Sequence, residues 1–345
     1  MKKVLVTGGC GYIGSHTIVE LINNGFEVIS VDNNINSNLE PLAAIKAITG
    51  KQVENHTIDL CDLEKTKALF DKHPDLSGII HFAALKAVGE SVEKPWEYFH
   101  NNLNSLLNIM ACAKEYGVNN LIFSSSCSVY GNATDLPVKE ATPMQAAESP
   151  YARTKQMGEH MLRDFCIANE AFNVVLLRYF NPAGAHESGL MGESPVNPAL
   201  NLVPVITETA IGKREKLFVH GGDYDTRDGS CIRDYIHVMD LANAHTKALV
   251  FLIDKKNNTN CEVYNLGIGE GASVLEAIHA FEKSTGEQLN YEVGPRRAGD
   301  VVAIYCDYDK AASELGWEPT RGIEDIMRTA WEWEKNRSLS PTKKA

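Results

Sequence analysis

Short apolar runs alternate with segments of helical periodicity through the first half of the chain. Five of these runs, each rich in β-branched or other apolar residues, read KKVLVTG, EVISVDN, GIIHFAA, NNLIFSSS and NVVLLRYF. Runs of this length and composition predict strands that are buried on both faces of a sheet. The segment QVENHTIDLCD adds one more strand, since Val53, His56 and Ile58 lie just ahead of an acidic turn. The pattern predicts an α/β fold with a Rossmann-type, doubly wound parallel sheet.

The pattern changes after Asn181, where glycine, proline and turn residues dominate in NPAGAHESGLMGESPVNPALNLVP. We therefore divide the chain into a sheet domain at residues 1–180 and a smaller C-terminal α/β domain at residues 181–345. Residues 235–266 read as a helix followed by a strand, and such a unit is able to return to the first domain. The boundary between the two domains is blurred for this reason.

Composition excludes several classes of protein. The chain has 345 residues, of which 44% are hydrophobic and 23% charged, so it is an ordinary globular protein rather than a disordered or fibrous one. A net charge of −12 argues against nucleic acid as a partner, because no general basic field attracts a polyanion. Glycines interrupt the apolar run near the N-terminus, and no segment approaches the roughly 20 apolar residues of a membrane span.

The eight cysteines are scattered along the chain and form no CxxC pair. Neither a zinc site nor a redox motif is therefore supported, and a chain of this size does not need disulfides for stability. We expect reduced thiols, a cytoplasmic protein and no bound metal.

The segment TGGCGYIG, residues 7–14, follows the first predicted strand and opens a predicted helix. Gly8, Gly11 and Gly14 give the spacing G-x-x-G-x-x-G, and Asp32 follows Gly14 by 18 residues at the end of the next strand. Such glycines let backbone N–H groups approach a pyrophosphate, and an acidic residue about 20 positions later binds ribose hydroxyls and repels a 2′-phosphate. The cofactor predicted is NAD rather than NADP. The alternative is a tight strand-to-helix turn with no ligand.

A second constellation follows downstream. Three serines, Ser124 to Ser126, come directly after an apolar strand, and SPYARTK places Tyr151 and Lys155 one helical turn apart. A lysine ammonium on the same helix face favours the phenolate and makes the tyrosine a usable base. Either feature alone also fits plain structure, namely a turn or a helix start capped by Ser149. Together they resemble the Ser-Tyr-Lys set of the short-chain dehydrogenase/reductase superfamily.

A closer resemblance covers most of the chain. The segments TGGCGYIGSHT, VDNNINS, HFAALKAVGESV, FSSSCSVYG, SPYARTK, LRYFNPAGAH, RDYIHVMDLA, YNLG and PRRAGD occur in the order of the UDP-glucose 4-epimerase family and span residues 7–300. The resemblance implies reversible epimerisation of UDP-glucose and UDP-galactose at carbon 4, a UDP-sugar substrate, bound NAD and a homodimer. It also implies an NAD-binding first domain and a UDP-sugar-binding second domain.

The same resemblance carries functional residues onto this sequence. Catalysis falls to Tyr151 as the base, Lys155 and Ser126. The implied NAD contacts are Gly8, Gly11, Tyr12, Ile13, Gly14, Asp32, Asn33, Asp59, Leu60, Phe82, Lys86, Asn101, Ser126, Tyr151, Lys155, Tyr179 and Phe180. The implied substrate contacts are Lys86, Ser126, Tyr151, Asn181, Asn201, Leu202, Phe218, Val219, His220, Arg233, Arg297, Asp300 and Ile304. The two arginines offer planar forks for a diphosphate, although without the resemblance exposed ion pairs would be the preferred explanation.

Three departures bear on the activity. Related 4,6-dehydratases carry Thr-Asp-Glu where this chain has Ser126, Cys127 and Ser128, so the carboxylic acids needed for elimination are missing, and the same absence counts against nucleotide-sugar decarboxylases. Ile304 stands where many bacterial members have a larger tyrosine, which leads us to hypothesise an additional exchange of UDP-GlcNAc and UDP-GalNAc. Cys10 replaces a serine or alanine of the glycine loop and is either alkylation-sensitive or buried and unreactive.

Two other functions stay open from the sequence. An ordinary alcohol dehydrogenase is chemically possible, but it leaves the sugar-nucleotide segments of the second half unexplained. An NAD-binding regulator without activity is the alternative from another class, and such proteins often lack the tyrosine or the lysine that this chain retains.

Overall fold

The computed structural model describes residues 1–195, 198–297 and 300–339. Its largest feature is a seven-stranded sheet in which every neighbouring pair of strands is parallel. The strands are β1 (Lys3–Thr7), β2 (Glu27–Val31), β3 (Glu54–His56), β4 (Leu76–His81), β5 (Asn120–Ser124), β6 (Asn173–Tyr179) and β11 (Cys261–Leu266). Their order is β3-β2-β1-β4-β5-β6-β11, which confirms the predicted doubly wound parallel sheet.

Helices cover both faces of this sheet. They are α1 (Tyr12–Asn23), α2 (Glu40–Thr49), α3 (Leu63–Lys72), α4 (Val88–Glu93), α5 (Pro95–Glu115), α6 (Pro150–Ala168), α8 (Val238–Ile253) and α10 (Asp309–Leu315). The alternation of side chains along a strand separates two cores, because Val4 and Val6 point to the face of α1 and α8 while Leu5 points to the opposite face. The core strands are apolar throughout for this reason.

The unit α8–β11 belongs to the seven-stranded sheet. Strand β11 pairs in parallel with β6, from Cys261 opposite Val174 to Leu266 opposite Tyr179, and α8 packs on α1. The chain therefore passes from the sheet domain into the second domain and back again. Helix α10 comes later in the chain and packs beside β11 and α8.

The remaining elements build a second core at the carboxyl end of the sheet. The strands are β7 (Asn181–Ala183), β8 (Leu217–His220), β9 (Ile232–Arg233), β10 (Tyr235–His237), β12 (Ala272–Ser273), β13 (Tyr291–Gly294) and β14 (Ala303–Ile304). The helices are α7 (Leu202–Ala210), α9 (Val274–Thr285) and α11 (Ile323–Leu339). Phe281 of α9 and Trp331 of α11 pack edge to face in this core, which holds the short strands beside the sheet domain.

No helix among the described residues is long and apolar enough to cross a membrane.

Candidate active site

The glycine turn between β1 and α1 brings backbone against backbone. Gly8 has a φ of +68°, and a Cβ atom on Gly14 would lie only 2.2 Å from the carbonyl oxygen of Gly8. The N-cap residue Gly11 supplies no side-chain cap, so no hydroxyl or carboxylate occupies the first turn of α1. Free N–H groups at such a helix start form an anion site, and the turn fits the pyrophosphate of a dinucleotide.

The Tyr12 and Ile13 side chains point away from this turn. The Tyr12 hydroxyl donates a hydrogen bond of 2.6 Å to the carbonyl oxygen of Gly184 in the second domain, and Ile13 packs against the sheet core. Only the backbone of these two residues remains for the predicted cofactor contact. Cys10 in the same turn is 3% exposed, and burial beside Asp32 raises the pKa of its thiol to about 12. A thiol of this kind is unreactive, which favours the second of the two interpretations of Cys10.

Asp32 lies at the end of β2, where its carboxylate organises the loop that follows. It accepts hydrogen bonds from the Cys10 N–H at 3.0 Å, the Asn34 N–H at 2.9 Å and the Ser37 hydroxyl at 2.8 Å. A carboxylate has about four acceptor sites, so capacity remains for a ribose hydroxyl.

The other predicted adenosine contacts lie close to Asp32 in the fold. Strand β3 pairs with β2 and ends next to it, and Asp59 and Leu60 follow on the chain. The Asp59 side chain is exposed while Leu60 is buried. Asn33, which is half-buried, continues from Asp32, so these residues meet at one edge of the sheet.

Helix α6 positions the tyrosine and the lysine. Ser149 caps the helix by accepting a hydrogen bond of 3.1 Å from the Ala152 N–H, with Pro150 in the first turn. The Lys155 ammonium donates a hydrogen bond of 2.6 Å to the carbonyl oxygen of Ser124 and lies 5.9 Å from the centre of the Tyr151 ring. The end of β5 and the first turns of α6 therefore meet, as the sequence predicts.

Ser126 is the third member of the set. It caps a short 3₁₀ helix at Cys127–Tyr130, and its hydroxyl accepts a hydrogen bond of 3.2 Å from the Ser128 N–H. The same hydroxyl lies next to the Tyr151 phenol, whose charged form it favours. Ser126, Tyr151 and Lys155 thus form one cluster at the carboxyl end of the sheet, where ligands of this fold bind.

The pKa values of this cluster are set mainly by desolvation. Burial raises the pKa of Tyr151 well above its ordinary value, and the nearby Ser126 hydroxyl opposes that shift. Burial also lowers the pKa of Lys155 to about 8, with the Glu159 carboxylate opposing the change. The pKa of Tyr151 shifts upward, whereas the positive charge of Lys155 alone would lower it. The cost of burying a phenolate exceeds the attraction that the protein supplies.

A buried ion pair lies directly beneath the cluster. Arg178 on β6 binds Glu159 on α6 through both carboxylate oxygens, at 2.9 and 2.7 Å, and both side chains are almost fully buried. The Ser125 hydroxyl donates a hydrogen bond of 2.6 Å to the same carboxylate. Ser125 lies between Ser124 and Ser126, so the pair fixes the loop that carries two of the site's contacts.

The sequence analysis missed this pair although two signals for it exist. Glu159 follows Lys155 by one helical turn on α6, and Arg178 interrupts the apolar strand NVVLLRYF. A charged residue within a buried strand requires a partner. The pattern does not say where that partner lies, because α6 and β6 become neighbours only in the folded chain.

Aromatic side chains lie beside the cluster. The Phe82 and Tyr179 rings both pack on His245, with ring centres 4.6 and 5.9 Å from it, and the Tyr179 hydroxyl hydrogen-bonds the Ser124 hydroxyl. Phe180 is buried in a separate apolar cluster together with Ile304. Of the two predicted NAD contacts Tyr179 and Phe180, it is therefore Tyr179 that contacts the end of β5.

Two of the predicted nicotinamide contacts are held by their neighbours. The Lys86 ammonium lies 3.6 Å from the Glu193 carboxylate, and its side chain is mostly exposed. Asn101 donates a hydrogen bond of 3.0 Å to the Asn102 side chain. Within the described part of the chain, neither side chain forms a hydrogen bond or ion pair with Tyr151 or Ser126.

An open cleft with about 1050 Å³ of empty space lies between elements of the second domain. Eight of the predicted substrate residues line it, namely Asn181, Asn201, Leu202, Phe218, His220, Arg233, Arg297 and Asp300.

Val219 and Ile304 do not line this cleft. Along β8 the exposed and buried side chains alternate, so Phe218 and His220 face the cleft while Val219 enters the core. Ile304 on β14 is 6% exposed and packs in the cluster of Phe180, beside the register partner Arg233. Neither side chain is therefore placed to contact a substrate in this cleft.

The arginines of the cleft share one carboxylate. Arg297 binds Asp300 through two hydrogen bonds of 3.1 and 2.7 Å, and the Arg233 guanidinium lies 3.7 Å from the same carboxylate. Two cations against one anion leave a local positive charge within an acidic protein. Arg233 also lies near Cys127, the residue that follows Ser126, so the cleft lies next to the cluster of Ser126, Tyr151 and Lys155.

Comparison with known proteins identifies the family. A family model described as GDP-mannose 4,6 dehydratase matches residues 5–330. UDP-glucose 4-epimerases from Bacillus subtilis (strain 168) and Homo sapiens are each 46% identical to the chain, over 96% and 97% of its length respectively and 97% of each relative. A structure of UDP-glucose 4-epimerase from Bifidobacterium longum, in complex with NAD⁺ and UDP, is 45% identical and superposes with a TM-score of 0.92 over 98% of this chain and 99% of that one. The chain belongs to the UDP-glucose 4-epimerase family.

This membership confirms the resemblance seen in the sequence. The UDP-glucose 4-epimerase from Stenotrophomonas maltophila, solved with NAD and formylated UDP-arabinopyranose, is 41% identical and superposes with a TM-score of 0.94 over 98% of this chain and 99% of that one. The matched family model bears the name of a dehydratase, yet Ser126, Cys127 and Ser128 of this chain provide no carboxylic acid. Burial raises the pKa of Cys127 to about 12, so its thiol is no substitute for one. Within the family, this site therefore suits oxidation and reduction at one carbon rather than elimination.

Proposed function

We propose that the protein interconverts UDP-glucose and UDP-galactose by inverting carbon 4 through a transient 4-keto sugar, with NAD bound throughout. The observation that carries the proposal is the meeting of three parts at the carboxyl end of one sheet. These are the glycine turn at Gly8–Gly14, the cluster of Ser126, Tyr151 and Lys155, and a cleft whose arginines suit a diphosphate. A protein that only binds NAD needs neither the cluster nor the cleft.

The residues of the cluster have distinct roles in this mechanism. Tyr151 takes the proton of the 4-hydroxyl group, and Ser126 donates a hydrogen bond to the same oxygen. Lys155, held by the carbonyl oxygen of Ser124, places a positive charge beside the phenol. Bound NAD would supply the hydride chemistry at carbon 4, with the hydride taken up and returned in each cycle so that no cofactor is consumed.

The cleft explains how the configuration is inverted. Arg233 and Arg297 hold the diphosphate, and Arg297 releases or shares Asp300 to do so. A 4-keto sugar anchored only through its diphosphate is able to turn and present its other face to the cluster. Tyr151 then returns the proton to the oxygen, which completes the epimer.

The protein is further proposed to form a homodimer. Trp96 and Leu107 of α5 are 68% and 47% exposed, and their spacing of eleven residues places them on one face of the helix. Met157 of α6 and Val92 of α4 are also exposed on helices that pack beside α5. Apolar side chains exposed on adjacent helices suit an interface between two copies. Light scattering coupled to gel filtration gives the mass, and a monomer of 38.0 kDa would overturn this part.

The activity is tested by proton NMR of the anomeric signals after the purified protein is mixed with UDP-galactose, first without and then with added NAD. Formation of UDP-glucose is expected, and Tyr151→Phe reduces its rate at least a thousandfold because the proton acceptor is lost. The matched control Tyr116→Phe removes a phenol at the C-terminal end of α5, whose hydroxyl donates a hydrogen bond to Asp71, and leaves the rate unchanged. A protein that binds NAD but forms no UDP-glucose would instead be the regulator considered above.

Adding UDP-GalNAc to the same tube tests the wider substrate range. Ile304 is buried beside Phe180 rather than exposed in the cleft, which does not favour the hypothesis of N-acetyl turnover. Appearance of UDP-GlcNAc, lost in Ile304→Tyr while UDP-glucose still forms, would support it. Equal loss of both products in that variant would contradict it.

A further inference from the structure

Three potential metal ligands converge at the outer edge of the seven-stranded sheet, and none of their side chains is among those assigned to NAD or substrate. Glu54 and His56 point from the same side of β3, and His73 caps the C-terminus of α3. The Nε2 atoms of the two histidines are 3.1 Å apart, and the Glu54 Oε1 atom lies 3.1 Å from His56 Nε2 and 3.9 Å from His73 Nε2.

We propose that Glu54, His56 and His73 form a binding site for Zn²⁺ or a similar borderline divalent transition-metal ion. A triangle with these three edges has a central point about 2.0 Å from each atom, which is the length of a Zn–N bond. Two imidazole nitrogens and one carboxylate oxygen suit zinc, cobalt or nickel. They do not suit Mg²⁺ or Ca²⁺, which prefer oxygen ligands throughout.

A hydrogen bond between the histidines explains the arrangement less completely. If His56 Nε2 carries a proton, this N–H group is the one donor among the three atoms. It would then have to donate to both His73 Nε2 and Glu54 Oε1. A single N–H bond cannot point straight at two acceptors that are 3.9 Å apart. A metal ion at the centre uses all three lone pairs, with the proton of His56 on Nδ1 instead.

The surroundings of the three side chains favour a bound ion with one coordination position open to water. His73 and His56 are only 6% and 16% exposed, so their rings are held in place by packing, whereas Glu54 is 45% exposed and leaves room for water as a further ligand. The Lys72 ammonium now lies 2.6 Å from Glu54 Oε1, as a cation at the site where we place the metal. Its side chain is 58% exposed and is free to move into solvent when the ion binds.

Such an ion would join β3, the edge strand, to the end of α3. The two elements are 17 residues apart at His56 and His73, and the metal would close that loop. The expected role is stabilisation of the sheet edge rather than catalysis, since the proposed catalytic cluster lies on β5 and α6.

The test measures metal uptake by the purified NAD-containing protein after treatment with a chelator. Calorimetric titration with Zn²⁺ and visible absorption with Co²⁺ are expected to show one tight site per chain, and Zn²⁺ raises the melting temperature. His56→Gln and His73→Gln each weaken uptake at least tenfold and remove the rise, while Lys72→Gln strengthens uptake severalfold. The control His160→Gln alters an exposed histidine of α6 and changes nothing.

Three results would overturn the proposal. The first is uptake that persists unchanged in both His56→Gln and His73→Gln, which would place the metal elsewhere. The second is a Co²⁺ spectrum with the strong charge-transfer bands of a thiolate ligand, because cysteines would then be the ligands. The third is the absence of any saturable site in the wild-type protein. Epimerase activity is not the readout, so failure here leaves the proposed function untouched.

Discussion

Replacement of Glu159 by glutamine tests the buried ion pair beneath the catalytic cluster. The substitution keeps the shape of the side chain but leaves the Arg178 guanidinium, which is 3% exposed, without its counter-charge. Two charge-assisted hydrogen bonds from Arg178 and one bond from Ser125 are weakened or lost. Removing one partner of a buried pair costs about 3–5 kcal/mol, because the other charge stays buried without compensation.

This loss of stability is large enough to measure by calorimetry. A destabilisation of about 3–5 kcal/mol lowers the melting temperature by roughly 6 to 20 °C in a cooperatively unfolding unit of about 150–250 residues. The matched control is Glu332→Gln, which breaks an exposed ion pair with Lys335 on α11 and costs less than about 1 kcal/mol. Circular dichroism at low temperature verifies that both variants are folded before melting is compared.

A second variant separates the cost of an unpaired charge from the cost of lost packing. Glu159→Gln combined with Arg178→Met removes both charges, and it is expected to recover part of the lost stability. In both variants, activity measured at a temperature where the single variant is folded should fall about tenfold, since the weakened bond from Ser125 holds the loop that carries Ser126 less firmly. A melting temperature for Glu159→Gln as high as that of Glu332→Gln would refute the reasoning.

Three further results are expected. Gly14→Ala places a Cβ atom 2.2 Å from the Gly8 carbonyl oxygen, so NAD should no longer raise the melting temperature as it does in the wild type. Turnover should decline as pH rises through about 8, the pKa to which burial lowers Lys155, as a pH–rate profile would show. Stability should fall below pH 6.5, because four buried histidines have folded pKa values of about 3 or 4 and the unfolded state binds more protons; melting at pH 7.5 and 5.5 checks this. These histidines are His16, His81, His237 and His245.

Local chemistry explains which parts of the fold could be predicted from the sequence. Buried strands are short apolar runs, and the glycine turn requires close backbone approach at Gly14, so both leave a signature within a few residues. The pairing of β11 with β6 depends on contacts between residues about 90 positions apart, and no local pattern specifies it. The sequence therefore does not define the boundary between the two predicted domains.

The candidate site also has parts that the sequence identifies and parts that only the folded structure determines. Phe218 and His220 reach the cleft and Val219 does not, because the pleat of β8 decides which side chains face the ligand. The resemblance names the segment but not the face of each residue. Ile304 is a similar case, since its side chain is buried next to Phe180 although its strand neighbour Arg233 faces the cleft.

The acidity of Tyr151 could not be predicted from its spacing to Lys155, because two opposite effects act on it. The lysine attracts the phenolate, but α6 also buries the phenol, and in the protein alone desolvation has the larger effect. The same burial lowers the pKa of Lys155, so the lysine charge itself is weakly held. In the mechanism proposed above, the charge that favours the Tyr151 phenolate therefore comes in part from the ligand side, where the nicotinamide ring would be positive only in the oxidised cofactor. The proposed base would then be strongest in the state that is able to accept a hydride.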